Sequence, residues 1–114
     1  MDQNIGAPGP HAITVDQVDG TTLVLLQGEI DASLRHAASE AMVAVLAAHG
    51  PLVIDTSAVT FIDSSGMAFL LQLHGVASDA GRSVDLRDPS GVVVDLLALV
   101  GLDTLFRPGE PQGV

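Results

Sequence analysis

The sequence predicts an α/β fold, a single domain in which helices pack on a mixed β-sheet, and three observations carry that prediction. Apolar residues recur in short β-prone runs and at helical spacing in longer ones, in the order β-β-α-β-α-β-α. Hydrophobic residues make up 47% and charged residues 16%, with mean hydropathy +0.45, which is the composition of a compact chain and not of a disordered one. A length of 114 residues suffices for one core and is too short for two. Aromatics are only 3%, with no Trp or Tyr, so the core is aliphatic and stacking platforms for bases are absent.

Each element follows from its own residues. Met1 to Pro10, with Gly6, Pro8, Gly9 and Pro10, reads as a flexible arm. Ile13, Val15 and Val18 suggest a strand, Asp19-Gly20 a tight turn, and Thr22 to Gln27 the returning strand of a hairpin. Gly28-Glu29-Ile30-Asp31 closes that strand, and Asp31 or Ser33 can cap the next helix. In that helix Leu34, Ala37, Ala38, Ala41, Met42, Val45 and Leu46 repeat on the inner side, opposite Arg35, His36, Ser39 and Glu40. His49-Gly50-Pro51 ends it.

Leu52-Val53-Ile54 is apolar on both faces, as a central strand should be, and a polar patch is expected to break it. After Asp63-Ser64-Ser65-Gly66 comes a helix that is apolar nearly all round. Met67, Leu70, Leu71 and His74 fall on one side of it, and Phe69, Leu73 and Val76 on another. Such a helix is either fully buried or offers a patch to a partner. Ser83 to Arg87 reads as a strand, and Ser90 as the cap of a last helix whose inner stripe is Val93, Leu96, Leu97 and Val100, stopped by Gly101. Leu102 to Phe106 is a candidate short edge strand. Pro108 to Val114 reads as a flexible tail, so the domain is expected over 11–107.

Composition also excludes several functions. Four Lys and Arg against 14 Asp and Glu give a formal charge of −10, whose field repels nucleic acid and anionic lipid. There is no cysteine, hence no disulfide or thiolate metal site. Met1 to His11 shows no signal-peptide pattern, and Val92 to Val100, interrupted by Asp95, is too short to span a bilayer. The expectation is a cytoplasmic protein without direct membrane contact.

Two hydroxyls sit where a strand hands over to a helix, so catalysis has to be weighed. There is no Gly-x-Ser-x-Gly, and nothing selects His11, His36, His49 or His74 as a base. Metal-ligand spacing and Walker-type loops are missing, so no cofactor is expected. Asp63 and the serines are ordinary helix caps. A hydroxyl there can also accept a phosphate, which the helix dipole would favour by about 0.3–1 kcal/mol.

Asp55-Thr56-Ser57-Ala58-Val59-Thr60-Phe61-Ile62-Asp63-Ser64-Ser65-Gly66, with Gly28-Glu29-Ile30-Asp31 upstream, resembles the signature of the STAS domain family (sulfate transporter and anti-sigma factor antagonist). Among its branches the free-standing bacterial anti-anti-sigma factors are the most similar. The resemblance implies a STAS-like fold and a partner-switching protein with no catalytic activity of its own. In such proteins the unphosphorylated form binds an anti-sigma factor that is itself a serine kinase, releasing the sigma factor. The kinase then phosphorylates the hydroxyl corresponding to Ser64, and a PP2C-type serine phosphatase reverses it.

Asp31 and Asp63 would flank that site, with Ser65 and Gly66 shaping the helix start. Met67, Phe69 and Leu70 are expected as apolar docking contacts. Thr56 departs from the family pattern, which has an aliphatic residue there, as does Ala68, where Gly is common. A second reading is a structural STAS subunit of a membrane lipid-transport complex, with Ser64 only a helix cap. A third, a Ser64 nucleophile, lacks a base.

Overall fold

Asp19 and Gly20 both adopt positive φ, 51° and 80°. In the computed structural model, which describes residues 11–102, they fold β1 (Ala12–Val18) back onto β2 (Thr21–Ile30), with Val18 opposite Thr21. Two consecutive positive φ angles match the right-handed twist of an antiparallel hairpin. β3 (Leu52–Ile62) then lies parallel to β2, and β4 (Val84–Arg87) parallel to β3, in the sheet order β1-β2-β3-β4. Parallel neighbours need long crossovers. These are α1 (Arg35–Ala47) and α2 (Ser64–Asp79), and α3 (Val92–Leu99) follows β4.

Strand alternation places the core. Ile13 pairs with Leu26, Val24 with Ile54, and Ile54 with Leu86, so these five residues share one sheet face. The buried residues of all three helices, among them Val45, Leu70, Leu73, Val93 and Leu97, join them in a single cluster. Leu23, Leu25 and Val53 point to the other face and take no part in it.

β3 does not break at its polar patch but runs for 11 residues. The reason is that the polar atoms find partners without leaving the strand. The Asp55 carboxylate accepts the Ser57 amide at 2.9 Å. The fully buried Thr56 places its hydroxyl 2.8 Å from both the Arg87 carbonyl and the Asp88 carboxylate. Irregularities between Leu25 and Gln27 and between Gly28 and Glu29 absorb the mismatch with β2. β4 pairs only with Leu52 to Asp55, so the rest of β3 is laddered on one side.

The helices correct four details. α1 starts one turn later than expected, after a 3-10 turn over Ala32–Leu34. Leu46 and Val100 are each 60% exposed and lie outside the inner stripes predicted for them. α2 buries Gly66, Phe69, Leu70, Leu73 and Ala77, a stripe at spacings of three and four that cuts across both predicted faces. At α3 the cap position is Gly91, in the left-handed region, and not Ser90. Asp88 does the capping work from further back, its Oδ2 accepting the Val94 amide at 2.8 Å. The candidate strand over Leu102–Phe106 falls outside the described residues beyond Leu102, as do the arm over 1–10 and the tail over 108–114.

At the amino end of the parallel strands Arg82 fastens three elements together. Its Nε donates to the Gly50 carbonyl at 2.6 Å, Nη1 to the Val45 carbonyl at 2.7 Å and Nη2 to the Thr22 hydroxyl at 3.1 Å. Val45 lies in the last turn of α1, where its carbonyl accepts the Ala48 amide at 3.2 Å, and the guanidinium adds a second donor to the same oxygen. Gly50, with φ 86°, passes so close to the hairpin that a Cβ there would lie 2.4 Å from the Gly20 carbonyl oxygen.

Candidate functional site

The opposite end of the sheet holds Asp31, Asp63 and the two serines. Ile30 and Ile62 pair as the last residues of β2 and β3, and the Asp63 amide donates to the Ile30 carbonyl at 3.1 Å. Asp31 and Asp63 therefore leave adjacent parallel strands side by side, and each starts a helical turn. The Asp31 Oδ1 accepts from the Ser33 amide at 3.0 Å and the Ser33 hydroxyl at 2.5 Å. These bonds, the hydroxyl first, hold the Asp31 carboxyl below the usual aspartate range. The Asp63 Oδ1 accepts the Gly66 amide at 3.1 Å, and the Asp63 carbonyl accepts the Met67 amide at 2.9 Å.

Asp63 is thus the N-cap of α2, and neither serine serves as one. Ser64 and Ser65 are both exposed on the first turn. Gly66 is buried against the strand ends, where a Cβ would meet Ile62 Cγ1 at 2.6 Å, the Ile30 oxygen at 2.8 Å and Ile30 Cγ2 at 2.9 Å. Glycine is required here for close approach, which seats the turn carrying Ser64 and Ser65 directly on the sheet.

Beside this turn a cleft of about 400 Å³ opens between α1 and α2. Ile30, Leu34, Met42 and Phe69 give it an apolar lining, and Asp31, Arg35, Ser65 and Gln72 supply polar groups. Asp31, Ser65 and Gly66 line it together, whereas Asp63 and Ser64 do not. Ser64 precedes the lining residues, on the solvent side of the turn.

Two of the three expected docking contacts are core residues. Phe69 is 6% exposed and Leu70 0%, because the α2 stripe that contains them faces the sheet. Met67 is half-buried, and the open surface of α2 next to the serines consists of Ala68 and Gln72. The sequence also gave no role to Arg35, which lies on the cleft, or to Thr56 and Asp88, which tie β3 to α3. A threonine in an otherwise apolar strand was the available signal for the last pair.

None of the four histidines lines the cleft. The His11 Nδ1 accepts the Glu29 amide at 2.9 Å, His36 faces Glu40 at 3.4 Å on the α1 surface, His49 is exposed and His74 half-buried. Among the described residues there is no group of three potential metal ligands, and no helix is long and apolar enough to cross a membrane.

The sequence profile of the family described as "Mlab, STAS domain" matches residues 13–107, almost the whole of the fold just described. The chain belongs to the STAS domain family. A STAS domain accounts for the element order and the mixed four-stranded sheet. Among solved structures, an anti-sigma factor antagonist from Mycobacterium paratuberculosis is 34% identical, with a TM-score of 0.67, covering 83% of this chain and 81% of that one. SpoIIAA, an anti-sigma factor antagonist, matches in its unphosphorylated form at 21% identity and TM-score 0.70, over 84% of this chain and 86% of its own. The phosphorylated form of the Bacillus protein matches at 20% identity and TM-score 0.65, over 84% and 89%. At these last identities the likeness is one of fold. A search of curated protein sequences returned no match.

Proposed function

We propose that this STAS domain is an anti-sigma factor antagonist switched by phosphorylation at Ser64. In its unphosphorylated form it binds an anti-sigma factor serine kinase, and so releases the sigma factor. The kinase moves the γ-phosphoryl group of ATP to the Ser64 Oγ, which gives up its proton as ADP leaves, and a PP2C-type phosphatase hydrolyses the ester. The mycobacterial antagonist, at 34% identity, supports the general role.

One observation carries the assignment of the acceptor: the capping of α2 is done by the Asp63 carboxylate, so the exposed Ser64 hydroxyl is not needed to hold the helix. A phosphate on it adds about 1.5 to 2 negative charges beside Asp63 and Asp31 without dismantling the cap. Partner binding at the cleft and the open side of α2 then changes through local charge. The alternative is a structural subunit of a membrane lipid-transport complex, in which Ser64 stays unmodified. Incubation with the organism's anti-sigma kinases and ATP, followed by mass spectrometry, should place one phosphate on Ser64. Failure to label with every such kinase counts against the switch.

A further inference from the structure

The four basic residues of this acidic chain are all arginines, and they are not equivalent. Arg82 is committed to three acceptors at the far end of the sheet, and Arg87 sits opposite Asp55 on the outer face. Arg107 lies outside the described residues. Arg35 is therefore the one described cation on the cleft beside the serine turn.

Arg35 opens α1 directly after the 3-10 turn that Asp31 caps, four residues beyond that carboxylate, and its side chain is exposed. No ion pair forms between its guanidinium and another described residue, and the neighbouring Asp31 spends its Oδ1 on Ser33. An exposed cation that faces a cleft and forms no ion pair with a described residue points to a task outside folding.

We propose that Arg35 is the counter-cation of the switch, its guanidinium taking the Ser64 phosphate across the cleft mouth. The inference rests on the reading of Ser64 as the acceptor. A phosphate placed beside Asp31 and Asp63 on a chain of net charge −10 meets repulsion from its own protein. Arg35 offsets that repulsion with two parallel N–H donors in a fork that matches phosphate oxygens. Phosphorylation then fastens the start of α1 to the start of α2 and obstructs the cleft, an effect beyond added charge. It also makes the modification state sensitive to residue 35, which is remote in sequence from the acceptor.

The test needs no kinase. The full chain is made with phosphoserine installed at position 64 during translation, and the phosphate is titrated by phosphorus NMR at low ionic strength. With Arg35 present, the second ionisation of the phosphate should occur at lower pH than in Arg35→Gln, by roughly 0.5. Arg35→Lys should recover part of the difference, and 0.5 M salt should shrink it. Melting of the unphosphorylated variants by circular dichroism confirms that each is folded. Superimposable titrations of the native and Arg35→Gln proteins would overturn the role of Arg35. That outcome leaves the Ser64 switch standing, because no partner takes part in the measurement, whereas failure of kinase labelling would remove the switch whatever the titration gives.

Discussion

Gly66 lies so near the end of β2 that a Cβ on it would stand 2.8 Å from the Ile30 carbonyl oxygen. That same oxygen accepts the Asp63 amide at 3.1 Å, so one carbonyl fixes both the cap of α2 and the depth at which its first turn sits. A methyl group there would press on that carbonyl and on the buried side chains of Ile62 and Ile30, which are held in the core. Gly66→Ala is expected to cost about 1–3 kcal/mol through overpacking and to lift the serine turn off the sheet. Chemical denaturation measures the first effect, and loss of anti-sigma binding in the folded fraction the second.

Substitutions at two positions separate capping from the proposed switching. Asp63→Ala should lower stability by about 1 kcal/mol, because the Gly66 amide loses its acceptor. Ser64→Ala should leave the melting temperature nearly unchanged and keep the partner bound, and Ser64→Glu should bind more weakly. Equal binding by the two Ser64 variants, measured by calorimetry, would show that charge at Ser64 is not the switch.

Phe69 provides a contrast with Met67. Phe69→Ala should destabilise the fold by about 3–5 kcal/mol, as expected of an aromatic ring lost from a close-packed core. Met67→Ala touches a half-buried side chain and should change stability less, with any effect on association visible at temperatures where both proteins are folded. Thermal unfolding paired with a binding isotherm distinguishes the two behaviours.

The element order, the hairpin turn and the aliphatic core were legible in the sequence because period-two runs and turn chemistry act locally. Asp19-Gly20 needed nothing beyond its neighbours to specify a hairpin. What could not be read depended on partners distant in the chain. The extension of β3 through Thr56 relies on Arg87 and Asp88, 31 and 32 residues away. The stripe of α2 that faces the sheet cannot be chosen from a helix apolar almost all round, so the pattern alone does not separate core positions such as Phe69 and Leu70 from a docking patch. The serine turn itself was legible as a motif, but which residue caps it was a matter of geometry.

Thr56→Val tests that long-range tie. The swap keeps the shape and deletes a hydroxyl that lies 2.8 Å from two acceptors in a fully buried position. Leaving them without that donor should cost about 1–3 kcal/mol. Hydrogen exchange should show the start of α3 opening more readily, since Asp88 also holds the Val94 amide.

Acid should weaken the fold through Asp31 and Asp55, whose carboxyls are held below the usual aspartate range by their bonds to Ser33 and Ser57 respectively. A carboxyl depressed in the folded state contributes stability that is complete above its unfolded pKa and is lost as pH falls through the folded one. The melting temperature should therefore hold near neutrality and decline below about pH 4. Asp55→Asn should flatten part of that decline, as followed by melts across pH 2–6.

The clasp made by Arg82 gives the molecule a quiet pole. Gly50, Val45 and Thr22 are drawn together there, at the end of the sheet away from the serines, and β3 alone sets about 35 Å between the two ends. A fluorophore or surface tether attached at the exposed His49 would sit at that pole and leave the serine turn unobstructed. Exchange of partners could then be watched in real time on an immobilised chain.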